Sequence, residues 1–222
     1  MGYYANRAAV ELADKAFRKW HYLAPVCAGA AAFGISQLLI RIPILNQILP
    51  NFEWYLTLPY TSPILYGLFL AFTAGLFEET ARRIGFGILG NRYRGFGDGI
   101  AFGIGHGGLE VLYVLWMVIQ QVLKGFPVSP LGLAVTLLER AGAMGFHIGA
   151  SVMVLYGVCK KQKRWLFLAI LLHTLLDLCA VLLTNLWLTE AIVLIFGAGF
   201  LAWAVQKRKT WPDNEKLGGK HL

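Results

Sequence analysis

Apolar residues run along the chain in six long stretches, and short polar segments separate them. The stretches cover about residues 22–40, 63–86, 99–122, 131–158, 165–183 and 187–205. Each has close to the roughly 20 residues that an α-helix needs to cross the hydrocarbon of a bilayer. The pattern predicts an all-α polytopic membrane protein, built as a bundle of about six transmembrane helices.

Composition supports this class. The 222 residues are 57% hydrophobic and only 14% charged, whereas a soluble domain carries roughly 25% charged residues. The formal net charge is +8, but the basic residues lie mainly beside the apolar stretches. That placement is typical of membrane orientation signals, so we expect a lipid bilayer, and no nucleic acid, as the partner.

The basic residues occupy alternate connections. They lie in the N-terminal segment, at Arg92 and Arg94, at Lys160, Lys161, Lys163 and Arg164, and at Lys207, Arg208 and Lys209. Because basic loops stay on the cytoplasmic side, both termini are predicted to be cytoplasmic and the protein integral to the plasma (inner) membrane. The connection at 41–62, together with the next residue, contains Pro43, Pro50, Pro59 and Pro63. It is predicted to be a proline-broken external loop.

Three regions are predicted along the chain. Residues 1–21 carry several charges and no apolar signal-peptide core, which indicates a cytoplasmic or interfacial N-terminal segment. Residues 22–205 form the transmembrane helical domain, and residues 206–222 form a polar cytoplasmic tail. Cys27, Cys159 and Cys179 are scattered, so they indicate neither a disulfide framework nor a CxxC metal pair.

Three polar clusters interrupt the apolar stretches. They are Glu78, Glu79, Arg82 and Arg83; His106 with Glu110; and His173 with Asp177. An ionised group in hydrocarbon costs several kcal/mol, so such residues are rare and usually functional. Glu78, His106 and His173 each lie about eight residues, or roughly 12 Å, from the predicted cytoplasmic end of a helix. We therefore predict that they converge on one polar intramembrane cavity.

Spacing within the clusters predicts local pairs. Residues four apart share a helix face, which pairs Glu78 with Arg82, Glu79 with Arg83, His106 with Glu110, and His173 with Asp177. In the fourth stretch, Arg140 is the expected counter-ion of Glu110 or Asp177. For Glu139, Arg140 and His147 a buried structural network is the favoured interpretation. The glycines around His106 are expected to let helices approach closely.

The three clusters resemble the EExxxR, FxxxH and HxxxN or HxxxB motifs of the CAAX-protease and bacteriocin-processing superfamily of intramembrane proteases. The matching residues are Glu78-Glu79 with Arg83, Phe102 with His106, and His173 with Asp177. Four longer sequence segments are similar to the YhfC family in particular: FEETARR, GIGHGGLE, LERAGAMGFHIGASVMVLYG and WLFLAILLHTLLD. The resemblance covers about residues 22–205.

The resemblance implies a glutamic-type intramembrane endopeptidase that works without a metal or other cofactor. Glu78, Glu79, His106 and His173 would form its catalytic set. In this scheme Glu78 activates water, His106 helps to hold that water, and His173 assists the oxyanion or the leaving amine. Glu79 and Arg83 would tune the site. The implied substrate is a membrane-associated or lipid-modified peptide or protein.

One position departs from that pattern. Many relatives place Asn where this chain has Asp177, and an ionised Asp cannot donate a hydrogen bond to an oxyanion. Asp177 is therefore expected to orient His173, to be protonated, or to pair with Arg140.

Two alternatives stay open. A zinc peptidase would use His106, His147 and His173 with one carboxylate, but HExxH spacing is absent from the sequence. A scaffold or a proton-coupled transporter would use the same polar cavity without proteolysis. The lack of an internal repeat argues against transport.

Overall fold

The computed structural model describes residues 20–212. Nearly all of the predicted N-terminal segment, and the tail beyond residue 212, lie outside that range. The helices are α1 (Leu23–Phe33), α2 (Glu53–Thr61), α3 (Pro63–Leu89), α4 (Phe96–Leu123), α5 (Pro130–Cys159), α6 (Arg164–Leu182) and α7 (Leu186–Arg208). Within the described range the fold is all-helical, as predicted.

Between residues 20 and 212, six helical segments are long and apolar enough to cross a membrane, which makes the chain an integral membrane protein. The last five are α3 to α7, and their bounds lie within a few residues of the predicted ones. The first runs from Leu23 to Asn51, well beyond its predicted end at residue 40.

The prediction of an external loop at 41–62 is wrong, because almost all of that segment is helical. After α1 the helix continues through two wider π-helical stretches, Gly34–Arg41 and Ile44–Ile48, and a 3₁₀ turn at Leu49–Asn51. The short helix α2 follows. Pro50 and Pro63 lie in first turns, where a missing N–H costs no intrahelical bond. These two prolines therefore mark helix starts, whereas Pro59 lies inside α2.

Helix α5 is the centre of the bundle. Most of its apolar stretch is buried, whereas the other spans bury a third or less of theirs. It packs against α4 and α7, while α1 packs on α4 and α3 packs on α6. Buried aromatic residues fill the core between these helices, including Phe86, Phe102, Phe146 and Phe200.

Glycines bring three helices together around His106, as predicted. A Cβ atom on Gly105 would overlap the carbonyl oxygen of Val26 in α1, and one on Gly103 would lie 2.5 Å from the Cα of Ile148 in α5. Atoms cannot approach that closely without displacing the backbone, so α4 packs here only because side chains are missing. This packing places His106 in the interior, with no exposed surface.

The connections 90–95 and 160–163 lie at the same end of the bundle, which we call the basic end. There the indole of Trp211 donates to the carbonyl of Arg94 at 2.9 Å. Arg94 in turn donates to the carbonyl of Phe86 at 2.7 Å. The first residues after α7 are therefore attached to the α3–α4 connection.

Candidate active site

Glu78 in α3 is the centre of the buried polar cluster. Its Oε2 lies 3.0 Å from Nε2 of His106 in α4 and 3.9 Å from Nε2 of His173 in α6. Glu78 is 6% exposed, His106 0% and His173 4%, so all three are buried. The residues that were placed at one depth on three separate helices thus meet, as the sequence predicted.

Glu79 orients His173. Its carboxylate accepts two hydrogen bonds from the Arg82 guanidinium, at 3.0 and 3.2 Å. The same carboxylate lies 2.9 Å from Nδ1 of His173. Because an ionised carboxylate only accepts, Nδ1 of His173 is the donor. The other ring atom, Nε2, therefore faces Glu78 and also Asp177, whose Oδ2 is 3.7 Å away.

Arg82 uses every N–H of its guanidinium. Besides Glu79, it donates to the carbonyl of His147 at 3.1 Å, to the hydroxyl of Ser151, and to Nδ1 of His147 at 3.2 Å. Five donors are all that an arginine side chain has. This fully buried side chain links α3 to α5 and, through Glu79, to α6.

The predicted pairs of Glu78 with Arg82 and of Glu79 with Arg83 are wrong. Arg82 pairs with Glu79 at a spacing of three residues, because Glu78 is turned toward His106. Arg83 is half-buried and lines a separate cavity at the basic end, next to Lys161 and Lys163. The partners on neighbouring helices decide between spacings of three and four, since both bring side chains together on a helix.

A second ion-pair network lies beside the first, on the side away from the basic end. Arg140 donates to Glu110 at 2.5 Å and to Glu139 at 2.8 Å. The predicted pair of Arg140 with Glu110 is thus present. No ion pair within 4.0 Å joins Arg140 to Asp177 or His106 to Glu110 in the described part of the chain. Glu110 instead contacts Nε2 of His147.

His147 connects the two networks. Arginine has no acceptor, so Nδ1 of His147 accepts the hydrogen bond from Arg82. In the neutral ring the proton is then on Nε2, the atom that contacts Glu110. Ser151, which also binds Arg82, was not identified from the sequence. Its position one turn after His147 was the available signal.

Two connected cavities reach this cluster. A small cavity of about 100 Å³ is lined by Glu78, His147, His173, Asp177, Glu110, Glu139 and Arg140, among others. It has room for water molecules and polar groups to bind them. A more open cleft of about 360 Å³ shares Glu78, Glu110 and Asp177 and extends along the π-helical stretch Gly34–Arg41 to Arg41.

The donor set suits a zinc-type ion. Glu78, His106 and His147 each offer a ligand atom, and these atoms lie within 4.8 Å of one another. Three nitrogen or carboxylate ligands are what a catalytic zinc site requires. Nδ1 of His106 is buried without a hydrogen-bond partner, and the ring of His147 lies 4.9 Å from that of His106. If Nε2 of His147 were a metal ligand, the neutral ring would carry its proton on Nδ1, and Nδ1 could then no longer accept the hydrogen bond from Arg82.

Comparisons with known proteins agree with this picture. A family model described as YhfC intramembrane metalloprotease matches residues 16–126 and 115–196, a range that contains all three polar clusters. The chain is also similar to the "Uncharacterized membrane protein YhfC" of Bacillus subtilis (strain 168). The two are 27% identical over 183 residues, covering 67% of this chain and 71% of that protein. No solved structure matches the chain.

Proposed function

Since the chain belongs to the YhfC intramembrane metalloprotease family, we propose that it is a metal-dependent peptidase that cuts membrane-associated proteins within the bilayer. The convergence of Glu78, His106 and His147 on one buried point carries this proposal. It differs from the metal-free mechanism that the sequence alone favoured. The family's description favours the zinc alternative, and so does the ligand set, in which Glu78 is present and the expected His173 is not.

In this mechanism Glu78, His106 and His147 would hold the ion. Zinc in such a site acts as a Lewis acid that lowers the pKa of water and polarises the scissile carbonyl. His173 faces the same cavity through Nε2, 3.9 Å from Glu78. Held by Glu79 through Nδ1, it is placed to carry a proton to the leaving amine. Oδ2 of Asp177 lies 3.7 Å from the same Nε2 atom of His173.

A metal-free glutamic-type peptidase is the second candidate, and one observation favours it. The hydrogen bond from Arg82 to Nδ1 of His147 keeps a proton on Nε2, where a metal would bind. Glu78 would then be the general base, and His106, 3.0 Å away, would help to hold the water. The remaining roles of His173 and Glu79 are the same in both mechanisms.

We also propose an orientation for the bundle. The basic end, with Arg92 and the lysines at 160–163, faces the cytoplasm, because positively charged loops stay on that side. The membrane would be the plasma (inner) membrane, and residues 22–205 would form the catalytic domain.

Metal content and cleavage together test the proposal. The purified full-length protein is assayed for bound metal and for cleavage of membrane proteins in proteoliposomes. Candidate substrates are taken from a comparison of membrane proteomes with wild type and Glu78→Gln. We expect about one zinc per chain, chelator-sensitive cleavage, and loss of metal in His147→Gln. Arg208→Gln, which changes an exposed arginine at the basic end, is the control and should keep both.

Two other results would replace or rule out the proposed metal-dependent mechanism. Cleavage that resists chelation in a metal-free protein, but is lost in Glu78→Gln, would replace this proposal with the glutamic-type mechanism. A wild-type protein that cuts none of the membrane proteins enriched in the Glu78→Gln proteome would rule out both peptidase mechanisms.

A further inference from the structure

The open cleft has a second polar end, formed by Gln37 and Arg41. Both side chains line the cleft that also reaches Glu78 and Asp177. They lie four residues apart on the π-helical stretch Gly34–Arg41. Such wide turns are frequent at functional sites in proteins. This end of the cleft has no part in the mechanism proposed above.

Arg41 has spare donors and no anionic partner. It donates to the hydroxyl of Thr73 at 3.1 Å, to the amide oxygen of Gln37 at 3.1 Å, and to the carbonyl of Leu70 at 2.6 Å. These are three of its five N–H groups, and all three acceptors are neutral. Within residues 20–212 no carboxylate lies within the 4.0 Å of an ion pair with this guanidinium. An arginine inside a membrane span normally has such a partner.

Gln37 presents a second unused donor. The residue is only 3% exposed, and its Nε2 has no hydrogen-bond partner in the structure. Its amide oxygen is occupied by Arg41, so the amide group is oriented with its NH₂ free. A buried donor without a partner is costly. The two residues therefore offer a positive charge and several N–H groups to a ligand in the cleft, and the carboxylates that line its other end lie more than 4.0 Å from Arg41.

We propose that Gln37 and Arg41 bind a carboxylate of the peptide substrate; this inference rests on the peptidase function proposed above. A planar carboxylate suits the arginine fork, which binds it through two parallel hydrogen bonds. Leu70, which accepts from Arg41, precedes Glu78 by eight residues on α3, a rise of roughly 12 Å. The bound carboxylate therefore lies roughly that far from the scissile bond, on the side away from the basic end.

Peptide binding to an inactive protein tests this directly. The full chain carrying Glu78→Gln is placed in lipid nanodiscs, so that bound peptide is not cut. The probes are one short fluorescent apolar peptide in three forms: free C-terminus, amidated C-terminus, and amidated with an internal Asp. Fluorescence anisotropy gives the affinities. The second and third forms separate a terminal carboxylate from an acidic side chain.

We expect a carboxylate-bearing form to bind at least roughly tenfold more tightly than the neutral amide, as a charge-assisted hydrogen bond allows. Arg41→Gln should abolish that preference, Arg41→Lys should keep part of it, and Gln37→Leu should weaken it. Arg208→Gln, an exposed arginine at the basic end, is the matched control and should keep it. Unchanged melting temperatures would exclude misfolding as the cause.

Equal binding of all three peptides with Arg41 intact would overturn the proposal, as would a carboxylate preference that survives Arg41→Gln. Absence of binding by any form would overturn it as well. If phosphatidylglycerol bound to this pair while no peptide acid did, the pair would be a lipid headgroup site instead. Because the inactive variant is used, none of these results depends on whether the wild type cleaves, which the metal and cleavage assays test separately.

Discussion

Arg82 and Arg41 are both arginines within membrane spans, but their surroundings differ. Arg82 is fully buried, and all five of its N–H groups are bonded to protein, including the carboxylate of Glu79. Arg41 is half-buried at a cleft, and only three of its N–H groups have partners, all of them neutral. A guanidinium whose N–H groups all bond to protein is part of the scaffold, whereas one with free N–H groups is available to a ligand.

The two arginines also differ in what they connect. Arg82 attaches α3 to α5 directly and reaches α6 through Glu79 and His173. Arg41 attaches the extended first span only to α3. Loss of Arg82 should therefore disturb the whole catalytic cluster, whereas loss of Arg41 should leave the cluster in place.

The largest effect is expected for Arg82→Met. The change removes the arginine partner of the buried Glu79 carboxylate and leaves it only the hydrogen bond from His173; breaking a buried ion pair in this way typically costs about 3–5 kcal/mol. Equilibrium unfolding of the purified protein in mixed micelles would measure the loss. Arg83→Met, at the next position but outside the cluster, is the matched control and should stay within about 0.5 kcal/mol. Equal stability of the two variants would contradict the scaffold role of Arg82.

Arg140 is less buried than Arg82, and its loss should have the second-largest effect on stability. It pairs with Glu110 and Glu139, but the side chains of Arg140 and Glu110 keep 13% and 19% of their surface exposed. Arg140→Ala is therefore expected to cost about 2–3 kcal/mol, less than loss of a fully buried pair. Adding Glu110→Gln should recover part of the loss, because the more buried of the two carboxylates that Arg140 pairs with is then neutral. Additive losses in this double-mutant cycle would exclude a direct pair.

The sequence was sufficient for most of the fold. In a bilayer every backbone polar group must be bonded within the helix, so long apolar stretches have few alternatives to a membrane helix. The segment at 41–62 was missed because proline was taken as a break. Pro50 and Pro63 lie where a helix starts, Pro43 directly precedes the second π-helical stretch, and Pro59 is accommodated inside α2.

The sequence predicted how deep each candidate site residue lies in the membrane, but not which neighbouring residue its side chain contacts. Depth along a helix follows from residue count, so the meeting of Glu78, His106 and His173 was predictable. Spacing alone could not choose between Glu78 and Glu79 as the partner of Arg82. That choice depends on Ser151 and other groups on neighbouring helices.

Ser151→Ala tests whether the protein is more stable because every N–H group of Arg82 has a hydrogen-bond partner. The fully buried hydroxyl accepts one hydrogen bond from the charged guanidinium, and losing such a bond costs about 2 kcal/mol. Ser36→Ala is a matched control, because Ser36 is also buried but bonds only to a backbone carbonyl at 3.4 Å. It should cost clearly less in the same unfolding assay. If the two changes cost the same, Ser151 does not stabilise Arg82.

Arg41→Gln should have the smallest effect on stability, about 1 kcal/mol or less. The variant loses hydrogen bonds to neutral acceptors, but it also removes a charge that has no direct counter-ion, and the two terms offset each other. Its free energy of unfolding is to be compared with that of Arg82→Met under identical conditions. A loss as large as that of Arg82→Met would show that Arg41 belongs to the scaffold after all. A small loss, with the carboxylate preference abolished in the peptide assay, would separate the ligand-binding arginine from the structural one.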